Sequence, residues 1–391
     1  MAVTWQERPI ISERDQAPRA AVARQPVEWW ALLGLAFTVF WAYVLIRWVA
    51  GPYFKTVPGG PEPLPTWMHI VFVAWQAAAI PFILVALYLG VVRPWRRQRT
   101  VPLNGLLLIG FLSMSLQDAV PDMFGWWYTT NSHLVNIGSF YNEIPGWSAF
   151  TRPGVIVPWV PLFNLIEYPF GLFVPVWGGA WLMNRTRARW GLGPGALVAL
   201  LFPAMMVWDF IAEGLIFSLL GFYTFPGGHL SLFPDSYHKF TLLEAVFVAA
   251  FLTPLVAICY FRNEDGETLV ERGVGKLKVS DSRRLLLRLL AVIAMCQVLF
   301  FAFYNLPMAG YGANPGRWPA AIQSRSYFTD RLCGVGTNRL CPGPGVPLTR
   351  NAWLNARGQL QGPVGRELTM VPNDARGPVP FTGPLFGMHS K

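Results

Sequence analysis

Residues 29–49 read WWALLGLAFTVFWAYVLIRWV, an apolar run whose one charge is Arg47. A hydrocarbon core about 30 Å thick needs about 20 such residues in a helix. This stretch therefore predicts a membrane span, and the same reading recurs along the chain. Further runs cover residues 67–92, with Pro81 inside, and 101–120, ending in the polar stretch Ser113 to Asp118. Residues 155–183 carry Pro158, Pro161, Glu167, Pro169 and Pro175, and residues 195–225 carry Pro203, Asp209 and Glu213. Residues 240–261 carry Glu244 and Pro254, and a last run covers about 289–306. The expected fold is all-α: a polytopic transmembrane helix bundle of about seven spans.

Composition agrees. Of 391 residues, 53% are hydrophobic and only 13% charged, against roughly 25% charged in soluble domains. So few charges could not cover a soluble surface of this size. The net charge of +10 could suggest nucleic acid, but the basic residues sit in short blocks between apolar runs, the pattern of membrane topology. No nucleic-acid partner is expected. Four blocks hold 18 Lys and Arg: Arg8 to Arg24, Arg93 to Arg99, Arg185 to Arg189 and Arg262 to Arg288. The short loops opposite hold Lys55, Arg152 and Lys239. By the positive-inside rule the N-terminus is cytoplasmic and the C-terminus extracytoplasmic. The first apolar run is too long for a signal-peptide core, so it reads as an uncleaved anchor.

Three regions follow: a cytoplasmic segment 1–28, a transmembrane domain 29–308, and a Gly/Pro-rich, irregular extracytoplasmic tail 309–391. Arg outnumbers Lys 26 to 5, which with the many Ala, Gly and Pro suggests a GC-rich bacterial genome and hence a bacterial plasma membrane. Cys333 and Cys341 flank Gly334-Val-Gly in the tail, where an oxidising compartment favours a local disulfide.

Carboxyls in apolar helices are expensive and are functional candidates by default. Asp209 and Glu213 lie four apart, so one helix face carries both. Two carboxyls on one face in a low dielectric cannot both ionise cheaply. A protonated acid beside a carboxylate is the equipment for general acid–base chemistry on an uncharged lipophilic substrate. Glu167, Asp118 and Asp122 are further candidates for the same role. A buried hydrogen-bond network between helices or a proton path would use the same residues. Glu244, near a span end, reads as structural.

The segment PDMFGWWYTTNSHLVNIGSFYNEIPGWSAFTRPG, residues 121–154, combines Trp126, Trp127, Tyr128, Tyr141 and Trp147 with Asn131, His133, Asn136, Asn142 and Glu143. Trp and Tyr populate membrane interfaces anyway. A re-entrant lid over a polar cavity would also account for the Asn and acidic residues. Both readings stand on the sequence. No HxxxH, HxxE or DDxxD spacing, no glycine-rich phosphate loop and no haem CxxCH occurs, so neither metal nor nucleotide cofactor is expected.

Three segments carry a resemblance: SLQDAVPDMFGWWYTTN at 115–131, NIGSFYNEIPGW at 136–147 and WDFIAEGLIFSLLGFYTFPGG at 208–228. They resemble the AveC-like family of bacterial membrane proteins, whose namesake is the avermectin spirocyclase. The resemblance spans roughly residues 29–308. It implies a cofactor-independent membrane enzyme that forms a spiroketal from a dihydroxy-ketone and can also dehydrate. Such a reaction passes an oxocarbenium ion, which carboxylates and aromatic faces stabilise. Trp208, Trp126 and Tyr128 are candidates for that role, and Tyr141 and Asn142 for binding substrate. The expected function is a membrane-embedded cyclase or dehydratase acting on a lipophilic hydroxy-ketone. A proton-coupled transporter and a non-enzymatic membrane partner protein are the alternatives from other classes.

Overall fold

In the computed structural model, the described residues are 24–330 apart from 119, 124 and 148–156, together with 333–334, 337, 339–344, 353–355, 357 and 359–361. Most of the expected N-terminal segment 1–28 and much of the tail lie outside them, as does Arg152.

The fold is an all-α bundle of membrane-spanning type. Five helices are long and apolar enough to cross a membrane. They are α1 (Pro26–Val49), α2 (Thr66–Gln98), α5 (Pro194–Phe217), α6 (Leu242–Tyr260) and α7 (Asp281–Gly312). Two more helices fill the remaining apolar runs. α3 (Leu103–Gln117) is apolar but short, and its last turn, Ser115–Gln117, tightens to 3₁₀. α4 (Pro161–Trp190) is long but carries Asn164, Glu167 and three arginines. Large apolar side chains face outward: Ile46 is 70% exposed, Trp181 67% and Leu84 61%. Such a belt suits lipid and not water.

Helix ends depart from the sequence reading in both directions: α3 and α5 stop at Gln117 and Phe217, short of the expected 120 and 225, while α4 and α7 overrun their apolar runs. α4 starts at Pro161, a residue suited to a first turn, and stops where Gly191 takes φ +63°. It thus runs past its apolar stretch through Arg185, Arg187 and Arg189. α7 runs to Gly312, past the expected boundary at 308. Beyond it, α8 (Ala320–Gln323) and α9 (Ser326–Thr329) are short helical turns, so residues 309–330 are not irregular throughout.

Small residues let the helices approach closely. α1 packs along α7, and a Cβ on Gly34 would lie 1.9 Å from the Leu290 carbonyl oxygen. A Cβ on Gly105 of α3 would meet the Gly90 carbonyl oxygen of α2 at 2.1 Å. The buried core between α3 and α7 centres on Phe111, Leu172, Leu201, Leu255 and Met295.

Over one end of the bundle the connecting segments fold into a cap. Three antiparallel two-residue pairs stitch it: β1 (Thr129–Thr130) with β4 (Tyr223–Thr224), β2 (Ile137–Gly138) with β3 (Pro158–Trp159), and β5 (Ser231–Leu232) with β6 (Phe240–Thr241). The cap has its own aromatic core, where Trp126 stacks on Trp318 with ring centroids 5.4 Å apart. Trp126, Trp127 and Trp147 are all buried. Of the two readings of residues 121–154, the described part is thus a lid folded into protein and not a belt facing lipid. The Cys333 and Cys341 sulfurs lie at bonding distance, 2.02 Å, beside this core.

Candidate active site

Beneath the cap, α3, α4, α5, α6 and α7 line a partly open cavity of about 100 Å³. Its polar lining is Asp118, Asn164, Glu167, Asp209 and Glu213, with the tyrosines 128, 168, 223 and 304. Phe163, Trp208, Phe251 and Phe300 supply apolar wall. No Lys, Arg or His is among these lining residues.

Each element brings its share by periodicity. On α4, Asn164, Glu167, Tyr168 and Gly171 recur at three- and four-residue spacing and so share one face. On α5, Asp209 begins a widened stretch. Residues Phe210–Phe217 form a π-helix, in which the Ser218 amide donates to the Glu213 carbonyl at 3.0 Å, five residues back. Such insertions recur at functional sites. The Asp209 and Glu213 carboxyls remain neighbours there. A second π-helical stretch, Phe301–Asn305, presents Tyr304 from α7.

Hydrogen bonds sort the groups. Asp118 accepts from the Tyr168 hydroxyl and from Asn164 Nδ2 at 3.0 Å. Its backbone carbonyl accepts from the Tyr128 and Tyr141 hydroxyls at 3.1 and 3.2 Å. Glu244 lies behind the wall, accepting from Trp127 Nε1 at 2.9 Å and the Tyr304 hydroxyl at 2.5 Å. It ties the cap to α7. Asp209 Oδ2 is buried with no hydrogen-bond partner among the described residues.

Of the residues singled out in the sequence, Asp118, Glu167, Asp209, Glu213, Trp208 and Tyr128 line this cavity. Asp122, Trp126, Tyr141 and Asn142 do not. Asp122 instead shapes the loop, accepting from the Trp127 amide at 2.6 Å and the Tyr128 amide at 3.3 Å. Burial pushes its carboxyl well above the usual carboxylate range, against the pull of those two amides. Trp126 belongs to the cap core, and Tyr141 supports Tyr128 from behind at 3.3 Å. Reasoning from sequence missed Asn164, Tyr168, Tyr223 and Tyr304. The first two had a signal, since they sit three residues before and one after Glu167. No group of three or more His, Cys, Asp or Glu among the described residues is placed to hold a metal ion.

The family described as "Spirocyclase AveC-like" matches residues 95–328, well over half of the chain and all of the segments that line the cavity. No curated protein matches the chain, and no solved structure does.

Proposed function

The chain belongs to the AveC-like spirocyclase family, and from that premise we propose that it is a membrane-embedded acid–base cyclase. Its substrate is a lipophilic hydroxy-ketone of polyketide or lipid type, and its chemistry extends to dehydration by the same groups. One observation supports this most. Four carboxyls from three separate segments meet around one cavity without a facing cation. A site so lined disfavours anions and suits an uncharged substrate that becomes cationic during reaction.

The steps balance without an oxidant or reductant. One substrate hydroxyl adds to the ketone carbon and gives its proton to a carboxylate, while the neighbouring carboxyl protonates the ketone oxygen to give a hemiketal hydroxyl. A carboxyl protonates the resulting hemiketal hydroxyl, its C–O bond breaks, and water leaves. The second hydroxyl then closes on the oxocarbenium carbon and returns a proton to a carboxylate. Asp209 and Glu213, as neighbours, exchange the acid and base roles. Glu167 and Asp118 turn carboxyl oxygens toward the cation, with the Trp208 and Tyr128 rings beside them.

The test uses membranes carrying the protein, given lipophilic dihydroxy-ketones and followed by mass spectrometry. Products lighter by one water are expected from the wild type. Asp209→Asn and Glu213→Gln should insert and melt normally yet turn over about 10²–10⁴-fold more slowly, the worth of a positioned acid or base. Unchanged turnover in both variants would remove the pair from the mechanism. Proton-coupled uptake of the ketone without any product would replace the cyclase with a transporter.

A further inference from the structure

Four tyrosines line the cavity, and their hydroxyls are not equivalent. Tyr168 spends its hydroxyl on Asp118. Tyr304 spends its own on Glu244, and Tyr128 donates to the Asp118 carbonyl. The Tyr223 hydroxyl faces the Glu213 carboxyl, yet it is buried without closing a hydrogen bond to any described residue. A buried hydroxyl left so is destabilising unless something else fills the role.

The ring has no freedom to seek another partner. Phe163, Phe217 and Phe225 pack around it with centroids 6.0, 6.1 and 5.8 Å away, and Tyr128 meets it edge-on at 6.5 Å. The backbone is equally fixed. Gly221, at φ +78°, turns the chain out of α5. The Asn131 side chain caps that turn, donating to the Gly221 carbonyl at 3.0 Å. Tyr223 then pairs with Thr130 across the β1–β4 ladder. The hydroxyl is thus held at one point by cap and bundle together.

Among the lining residues, one other buried polar atom lacks a partner: Asp209 Oδ2. The two are complementary, since the phenol donates and the carboxyl oxygen accepts. A hydroxy-ketone offers the matching pair, a carbonyl oxygen that accepts and a hydroxyl that donates.

We infer that Tyr223 is a further catalytic residue, the donor that holds the substrate's ketone oxygen while Asp209 receives the attacking hydroxyl. This rests on the proposed cyclase reading and names the group that orients its substrate. Tyr223 keeps its proton throughout. Its hydrogen bond draws electron density onto the ketone oxygen and exposes the carbon to attack. Both protons that leave with the ketone oxygen as water come from carboxyls.

The experiment has two arms on purified protein in lipid nanodiscs, with Tyr223→Phe and Tyr304→Phe beside the wild type and detergent melting to establish folding. In the first, an unreactive long-chain dialkyl ketone, isotopically labelled at its carbonyl, is observed by infrared difference spectroscopy. A carbonyl band shifted to lower frequency is expected in the wild type and in Tyr304→Phe. In Tyr223→Phe it should return to its position in bare lipid. In the second, dihydroxy-ketone turnover should fall about 10²-fold in Tyr223→Phe, the usual loss on removing one such donor. No shifted band in the wild type, or the same shifted band in Tyr223→Phe, overturns the assignment whatever the turnover shows. A Tyr223-dependent shift with no dehydration of any hydroxy-ketone upholds the donor and overturns the cyclase reading.

Discussion

Gly171 stands where α4 passes the cavity, and a Cβ there would meet nothing within 4 Å. Its carbonyl accepts from Trp208 Nε1 at 3.2 Å, which a side chain would not disturb. Gly171→Leu should therefore fill substrate space and spare the fold. Turnover should collapse while detergent melting stays level or rises, since Gly is the poorer helix former by about 1 kcal/mol. A melting temperature that falls with turnover would show that the residue packs and does not shape the cavity. Glu244 predicts the opposite pattern. Glu244→Leu strands the Trp127 N–H and Tyr304 hydroxyl, at about 1–3 kcal/mol for each unmet group, whereas Glu244→Gln keeps an acceptor. Leucine should lower the melting temperature clearly and glutamine little. At this scale a carboxyl in an apolar run is visible in sequence because nothing else there is charged, which is how Asp209, Glu213 and Glu167 stand out. A tyrosine at the end of an apolar run looks like an interfacial residue, so Tyr223 and Tyr304 do not. Asp122, Tyr141 and Asn142 share one loop with Tyr128, and no periodicity tells which of a loop's side chains turn toward a cavity.

Helices are legible where apolar runs are long, and their ends are not. The runs mark the part of a helix that hydrocarbon would contact. α4 and α7 continue beyond it because backbone hydrogen bonding is unaffected by Arg185 or Tyr311, and only Gly191 supplies a left-handed stop for α4. The π-helical stretches at Phe210–Phe217 and Phe301–Asn305 carry no composition cue. Close helix approach is written in small residues, but which glycine meets which helix is a tertiary fact. Gly34 makes that fact testable. Gly34→Leu would drive a side chain into the Leu290 carbonyl, and neither backbone can yield without parting α1 from α7. Overpacking of this kind costs about 1–3 kcal/mol, occasionally more. Gly34→Leu should lower the melting temperature and the yield of inserted protein. Gly310→Leu, where a Cβ meets nothing within 4 Å, should do neither.

Across the whole molecule, charge and cavity lie at opposite ends of the bundle. At one end the Val27 amide donates to the Arg272 carbonyl at 3.2 Å, and Arg288 pairs with Glu271 at 2.8 Å while reaching the Val101 carbonyl. That end gathers the basic blocks that close α2 and α4 and the one that follows α6. At the other, Trp48 Nε1 donates to the Gly138 carbonyl at 2.7 Å, and Lys239, whose ammonium burial pulls below the usual lysine range, bridges the Pro226 and Arg317 carbonyls. The positive-inside rule predicts the first end in the cytoplasm and the cap outside. Reporter fusions after residues 97, 187 and 275 should then read cytoplasmic, and those after 60, 140 and 232 extracytoplasmic. The Cys333–Cys341 pair gives an independent measure of the same orientation. It closes a loop eight residues apart, which stabilises by about 2–3 kcal/mol on the chain-entropy account, and it persists where the compartment is oxidising. Non-reducing peptide mapping of protein from intact membranes should recover the cross-linked pair, and reduction should loosen the cap core that it adjoins before the bundle melts. Free thiols together with a cytoplasmic reading at residue 140 would invert the topology, and the substrate would then enter the cavity from the cytoplasmic side.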